Sequence, residues 1–367
     1  MPVSVESLFG DVVDFRCPWK VVYRLCDILF IALCTLVSNG EDFEDMESFG
    51  NERRAWLLQF IELPNGTPSH DTFNRVFQLL DPSVLIEILK NDGFDFIHSL
   101  VGTHINIDGK KVKGYSPKSK GNEGLYIVSA WVNEHKLCLG QTKVAEKSNE
   151  KTSIPVLLNS IDITGSTITI DAMGTQENIA HQIIDKGGDY ILALKKNQKK
   201  LFEEVNDEFV WSKVAPEQTD ITEDTLHGRT EIRKCSIMKA DQLLDTNFLE
   251  KWKGLKTLVR IEYERIENNI TIYKTRYYIS SKINTAAYFN QQVRGHWGIE
   301  NQLHWHLDVT FQEDKNRSRT GHAQVNLNTV RKIALNKIKR SSEKLSLKKR
   351  RFKASLNQDY LEEIVFK

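Results

Sequence analysis

The chain has 367 residues, 40% hydrophobic and 27% charged, which is the composition of a soluble globular protein of two or three domains. Its formal net charge of +1 gives global charge no say about partners. The five cysteines include no Cys-x-x-Cys pair and are odd in number, which argues against a disulfide framework or a zinc knuckle and fits a reducing cytoplasm.

Residues 1–100 read as helical, because apolar residues recur at helical spacing from Val21 to Ser38 and again at Phe73, Val76, Phe77 and Leu80. The most apolar window, Leu25 to Val37, is broken by Asp27, is too short to span a bilayer and lacks a signal-peptide cleavage pattern. Ser69 is placed as an N-cap, and Asp81-Pro82-Ser83 ends one helix and opens the next. From about residue 103 the period changes to that of strands. Strands are expected at His104–Val112, Leu125–Val132 and Lys136–Val144, the last two joined by Asn133-Glu134. A helix at Asn149–Leu158, a strand at Thr167–Asp171, a helix at Gln176–Lys186 ending on Gly187-Gly188, and a strand at Tyr190–Leu194 follow. This is a mixed α/β order with a hairpin at its front edge. After a helix at Leu201–Trp211, residues 197–284 become β-rich, with strands at Thr230–Met238, Thr257–Glu264 and Ile270–Ser280 and a turn at Asn268-Asn269. Helices return at Thr285–Trp305 and Gln324–Lys339, before a basic tail over residues 346–367.

Charge is unevenly spread. Residues 1–100 hold 7 basic and 16 acidic side chains, whereas Lys315 to Ala354 holds 14 Lys/Arg and one acid, Glu343. That C-terminal segment is a candidate electrostatic footprint on phosphates. Arg53, Arg54 and Arg75 are the local candidates in the acidic N-terminal region.

Two strands end on a carboxylate followed by small residues: Ile105-Asn106-Ile107-Asp108-Gly109 and Ile168-Thr169-Ile170-Asp171-Ala172. An Asp at the end of a buried strand suits a hard divalent cation better than an apolar core. A third acid, Glu300, lies in the run Arg294-Gly295-His296-Trp297-Gly298-Ile299-Glu300-Asn301, with Asp308, Glu313 and Asp314 as rivals downstream. Its helical neighbours His296, Trp297, Leu303 and His304 are too polar for a core face and too aromatic for a solvated one. Three acids suffice for two divalent ions roughly 4 Å apart, the arrangement that serves both oxygens of a phosphodiester displacement. A zinc set of His296, His304 and His306 does not share one helical face. Neither a Gly-x-x-x-x-Gly-Lys loop nor a Gly-x-Ser-x-Gly elbow occurs, so ATP-driven and serine-hydrolase chemistry have no support.

Together these stretches, with Leu303-His304-Trp305 and Leu307-Asp308-Val309, resemble the DDE transposases of bacterial insertion sequences, in the branch of the H-repeat-associated proteins of Rhs elements. The resemblance covers roughly residues 10–340. It implies an RNase H-like mixed sheet with flanking helices, built from residues 101–196 and 285–345, interrupted by a β-rich insertion at 197–284 and preceded by an N-terminal helical domain at 1–100 for binding DNA ends. It implies Asp108, Asp171 and Glu300 as catalytic and metal-binding residues, Mg²⁺ as cofactor with Mn²⁺ able to substitute, and hydrolysis at element ends followed by strand transfer into target DNA. Double-stranded DNA and a second copy of the chain are the implied partners. DNA contacts are expected from Lys110, Arg294, His296, Trp297, Asn301 and His304. Related transposases carry Tyr, Arg and Lys where this chain has Val293, His296 and Leu307. Two other readings share these residues: a catalytically inactive DNA-binding remnant, and an RNase H-like nuclease without strand transfer.

Overall fold

The computed structural model describes residues 4–10, 12–115, 125–144, 150–226, 228–268 and 270–367. Asn149 and Asn269, from the expected helix start and turn, lie outside them. The N-terminal region forms α1 (Val5–Phe9), α2 (Leu25–Val37), α3 (Phe43–Glu52), α4 (Arg54–Leu57), α5 (His70–Leu79) and α6 (Pro82–Ile97). Apart from Cys26, every residue of α2 is buried, and its Asp27 is neutralised by Arg24 at 2.8 Å. Ser69 holds the N-cap position of α5, but its hydroxyl pairs with Thr72 instead of a backbone amide. Asp81 does cap α6, accepting from the Ser83 amide, with Pro82 in the first turn.

The strands are β1 (His104–Val112), β2 (Leu125–Val132), β3 (Leu137–Lys143), β4 (Thr167–Ile170) and β5 (Asp189–Leu194). Between them run α7 (Glu150–Ser160) and α8 (Glu177–Asp185). Strands β1, β4 and β5 are parallel, and β2 and β3 form the antiparallel front hairpin. The order β3-β2-β1-β4-β5 with helices on both faces is the expected RNase H-like sheet.

The insertion holds α9 (Lys199–Trp211), β6 (Gln218–Leu226), β7 (Arg229–Lys239), α10 (Thr246–Lys251), β8 (Thr257–Glu267) and β9 (Ile270–Ser280). It extends the core sheet, because β9 pairs antiparallel with β5, and nine strands run continuously to β6 at the edge. Strand β6 is an element the sequence does not announce. Its run Gln-Thr-Asp-Ile-Thr-Glu-Asp-Thr-Leu is polar at nearly every position, as an edge strand can be when its partner supplies the hydrogen bonds.

After the insertion come α11 (Ala286–His296), α12 (Ala323–Arg340), α13 (Leu347–Leu356) and α14 (Gln358–Phe366). Residues 347–366, expected as a basic tail, are thus two helices whose Tyr360, Leu361, Ile364 and Val365 share a core with α2, α5, α6 and α12. The N-terminal helices therefore close over one face of the sheet together with the C-terminal ones, and Trp131, Ile299, Leu303 and Leu307 join that core.

Part of the charge of the basic segment is turned inward. Arg331, Lys332, Lys337 and Arg351 are 0–2% exposed. Lys337 and Arg340 pair with Asp92 at 3.1 and 2.6 Å, and Lys332 donates to Ser129 and Gln141. Arg351 donates to the carbonyls of Leu36, Gly40 and Thr310, fastening the end of α2 to the segment that carries Glu300. A buried cation is tolerated only with partners of this kind.

Candidate active site

Asp108 and Asp171 stand side by side where the β1–β4 pairing ends: β1 continues to Val112 along β2, with Asp108 opposite Ser129, whereas Asp171 follows the last residue of β4. Strands β1 and β4 run parallel with Ile107 opposite Ile170, so the next residue on each is the aspartate. Ile105, Ile107, Ile168 and Ile170 are all buried, which anchors both strands just before the aspartates. Oδ1 of Asp171 accepts from the amides of Met173 and Gly174 at 2.9 and 3.2 Å, a turn that fixes one carboxylate oxygen and leaves the other to the cavity.

Glu300 arrives on different geometry from the expected continuous helix. After α11 stops at His296, the chain forms two π-helical turns, Glu300–His304 and His306–Thr310. The wider π turn brings residues four apart nearly into line, and such turns recur at functional sites. His304 Nδ1 thereby lies 3.3 Å from Glu300 Oε2 and 3.6 Å from Asp108 Oδ2. Gly298 packs closely here: a Cβ there would stand 2.6 Å from Oδ1 of Asn133, at the tip of a side chain in the β2–β3 turn.

Asp108, Asp171 and Glu300 line one cavity of about 800 Å³. His296 and Trp297 share its wall, and Lys195, Lys196, Lys274 and Arg276 its basic side. The Arg276 guanidinium lies 5.6 Å from the centre of the Trp297 ring. Ligand atoms of Asp108, Glu300 and His304 all fall within 4.8 Å of one another. Asp171 stands on the same cavity outside that tighter group. The His296, His304 and His306 set does not converge: His306 pairs with Thr310 and His296 with Thr169.

Burial keeps the imidazoles neutral. It pulls His104 down to about 3 and His296 down to about 4, the latter against the charges of Asp171 and Glu300. It lowers His304 as well, partly offset by the bond to Glu300. Glu300 is held below the usual carboxylate range, first by that hydrogen bond, with burial opposing. Two of the rival acids serve Lys110, and the third, Asp314, pairs with Lys113. The Lys110 ammonium lies 2.5 Å from Asp308 and 2.8 Å from Glu313, and Glu313 is fully buried, with Asn328 as a further donor. Burial depresses Lys110, but those two carboxylates outweigh it and raise its pKa.

Residues 99–337 match the family described as Transposase DDE domain, and residues 7–91 the one described as DDE_Tnp_1-associated. The chain belongs to the DDE transposase family. It is 37% identical to "Putative transposase YncI" of Escherichia coli O157:H7, covering 99% of this chain and 95% of that one. It is 38% identical to "H repeat-associated putative transposase YhhI" of Escherichia coli K12, covering 96% and 95%. A cryo-EM structure of a piggyBac transposase synaptic complex with hairpin DNA aligns at TM-score 0.42 and 15% identity over 99% of this chain and 78% of that chain, a likeness too distant to speak to activity.

In this transposase-family chain the six residues expected on DNA divide by placement. Trp297 is exposed on the cavity wall, and Asn301 is exposed beside it. Arg294 is exposed and ion-paired with Asp224. His296 is half-buried on the wall. Lys110 and His304 are turned to acids of the chain: the first is engaged by Asp308 and Glu313, and the second is 6% exposed and turned onto Glu300 and Asp108. Sequence reasoning passed over Lys274 and Arg276, which β9 brings to the cavity. It also passed over Asn106 and Thr169, whose signal was present: a polar residue between isoleucines on a buried strand needs a partner.

Proposed function

We propose that this protein is a DNA transposase that cleaves phosphodiester bonds at the ends of a mobile element and joins the freed 3′-hydroxyl to target DNA. The observation that carries the reading is the placement of Asp108, Asp171 and Glu300 on a single cavity. Asp108, Glu300 and His304 would hold one divalent cation, and Asp171 with Asp108 a second. Mg²⁺ suits the carboxylates, and the imidazole suits Mn²⁺ as well. Cations held there would supply charge stabilisation to the oxygens of a phosphodiester displacement. The protein's own part is to fix these oxygens rigidly. The two aspartates ride on adjacent hydrogen-bonded strands, and the Glu300 segment is anchored through Leu303 and Leu307 in the core. Lys195, Lys196, Lys274 and Arg276 would neutralise phosphates entering the cavity, and Trp297 offers a ring face to a base.

No helix among the described residues is long and apolar enough to cross a membrane, which suits an enzyme working on DNA in the cytoplasm. Two copies of the chain would hold the two element ends. The test is cleavage of DNA bearing the sequences that flank this coding region, with Mg²⁺ or Mn²⁺. The expected result is metal-dependent nicking at the ends, lowered by on the order of 10³-fold in each of Asp108→Asn, Asp171→Asn and Glu300→Gln, about 4 kcal/mol of barrier. Undiminished cleavage in any of the three would remove that residue from the site. DNA binding without nicking under any metal would leave a binding remnant.

A further inference from the structure

Beneath the acidic cavity four polar side chains form a hydrogen-bond chain whose proton positions can be worked out one by one. Asn106 is completely buried, and its Nδ2 donates to the carbonyls of Gly295 at 2.9 Å and His296 at 3.4 Å. Two carbonyl partners identify that atom as the amide nitrogen, so Oδ1 is the end turned to Thr169. The Thr169 hydroxyl donates to Asn106 Oδ1 at 3.0 Å. A hydroxyl carries one proton and two lone pairs. With its proton committed, Thr169 Oγ1 can only accept from its two other partners, His104 Nε2 and His296 Nδ1, each at 2.8 Å. Each neutral ring therefore carries its proton on the nitrogen facing Thr169. For His296 that nitrogen is Nδ1, on the interior side, which leaves Nε2 bare on a ring that lines the cavity with Asp171 and Glu300.

We propose that His296 Nε2 accepts a hydrogen bond from the O–H of the attacking hydroxyl, water in cleavage and the 3′-hydroxyl in joining, with Thr169 as the positioning residue that fixes the acceptor. This rests on the transposase reading above. It assigns His296 a task apart from metal ligation, in keeping with its absence from the group of ligand atoms formed by Asp108, Glu300 and His304.

Two readouts test it on the full-length protein. Side-chain ¹⁵N NMR of the metal-free protein is expected to show the Nδ1–H tautomer of His296 in the parent and in Thr169→Ser, and a mixture or the other tautomer in Thr169→Val. In Mg²⁺-dependent cleavage, His296→Leu and Thr169→Val are expected to lose about 100-fold in kcat. Thr169→Ser should retain most of the rate, and His296→Gln, whose Oε1 can stand near the Nε2 position, an intermediate one. Mn²⁺ affinity by EPR titration should stay within about twofold throughout, which also reports that each variant has folded. An Nε2–H tautomer in the parent overturns the proposal. So does a full cleavage rate in Thr169→Val, or a loss of Mn²⁺ affinity in His296→Leu matching its loss of rate, which would make the residue a ligand. A parent protein with the expected tautomer but no cleavage under any metal would instead sink the transposase reading.

Discussion

Two basic regions of this molecule use their charge in opposite ways. The run from α12 to α13 is far richer in Lys and Arg, yet Arg331, Lys332, Lys337 and Arg351 are buried on carbonyls, amides and carboxylates. The cavity side owes its charge to four cations drawn from two separate segments, Lys195 and Lys196 after β5 and Lys274 and Arg276 on β9. No window of the sequence displays that second group as a patch. Charge density along a chain thus locates cations without saying whether they meet water, and here part of the denser region is structural.

The largest effect that would break this comparison lies in the buried region. Arg351→Met leaves the carbonyls of Leu36, Gly40 and Thr310 without their donor, and Glu313→Gln removes the charge that holds Lys110 and Arg331. Each is expected to lower unfolding stability by about 3–5 kcal/mol. Urea midpoints read this directly. A change below 1 kcal/mol in both would show that these cations are not structural.

Next in size is acid sensitivity. His104 and His296 have folded pKa values of about 3 and about 4, against an unfolded value near 6.5. Between pH 4 and 6.5 the unfolded chain binds more protons, so stability rises with pH across that window and is lost as pH falls. The slope is about 1.4 kcal/mol per pH unit for each group inside it. Stability at pH 5 should therefore lie about 3 kcal/mol or more below that at pH 7, and His104→Asn should remove about one proton from the slope. A stability flat from pH 7 to 5 would mean that these rings are not held neutral.

Much of the architecture is legible without coordinates. The β1 and β4 runs of branched apolar residues ending on Asp are strong local signals, and both aspartates do share a cavity. What fails is what depends on neighbours. Strand β6 exists because β7 pairs with it, not because of its own pattern. Spacing places Lys110 and His304 near Asp108 and Glu300, but does not show that they turn onto acids of the chain itself. The π turns at Glu300–His304 and His306–Thr310 leave no periodicity long enough to detect. The exposure of α13 could not be judged either, since the residues it covers are over 300 positions away in α2.

The cavity side sharpens the comparison with a smaller effect. Lys274→Ala with Arg276→Ala is expected to weaken DNA binding about tenfold or more and to reduce the salt dependence of log K by about 2, one for each phosphate that is no longer neutralised. Both residues are exposed, so stability should hold within about 0.5 kcal/mol. Titration of duplex DNA at several salt concentrations measures this, and an unchanged slope would take both residues off the DNA path.

The smallest effect is the most discriminating. Lys348 and Lys349 are exposed in the first turn of α13, a helix whose N-cap is Ser346 and whose first turn holds no acid. Cations there oppose the helix dipole, so Lys348→Glu with Lys349→Glu should raise stability by about 0.5 kcal/mol while changing net charge by four. If the basic segment is structural and the cavity side meets phosphate, this charge reversal leaves DNA affinity and its salt slope within error of the parent. A drop in affinity comparable to that of the Lys274 and Arg276 pair would instead make the outer face of α13 a second phosphate surface and erase the distinction between the two regions.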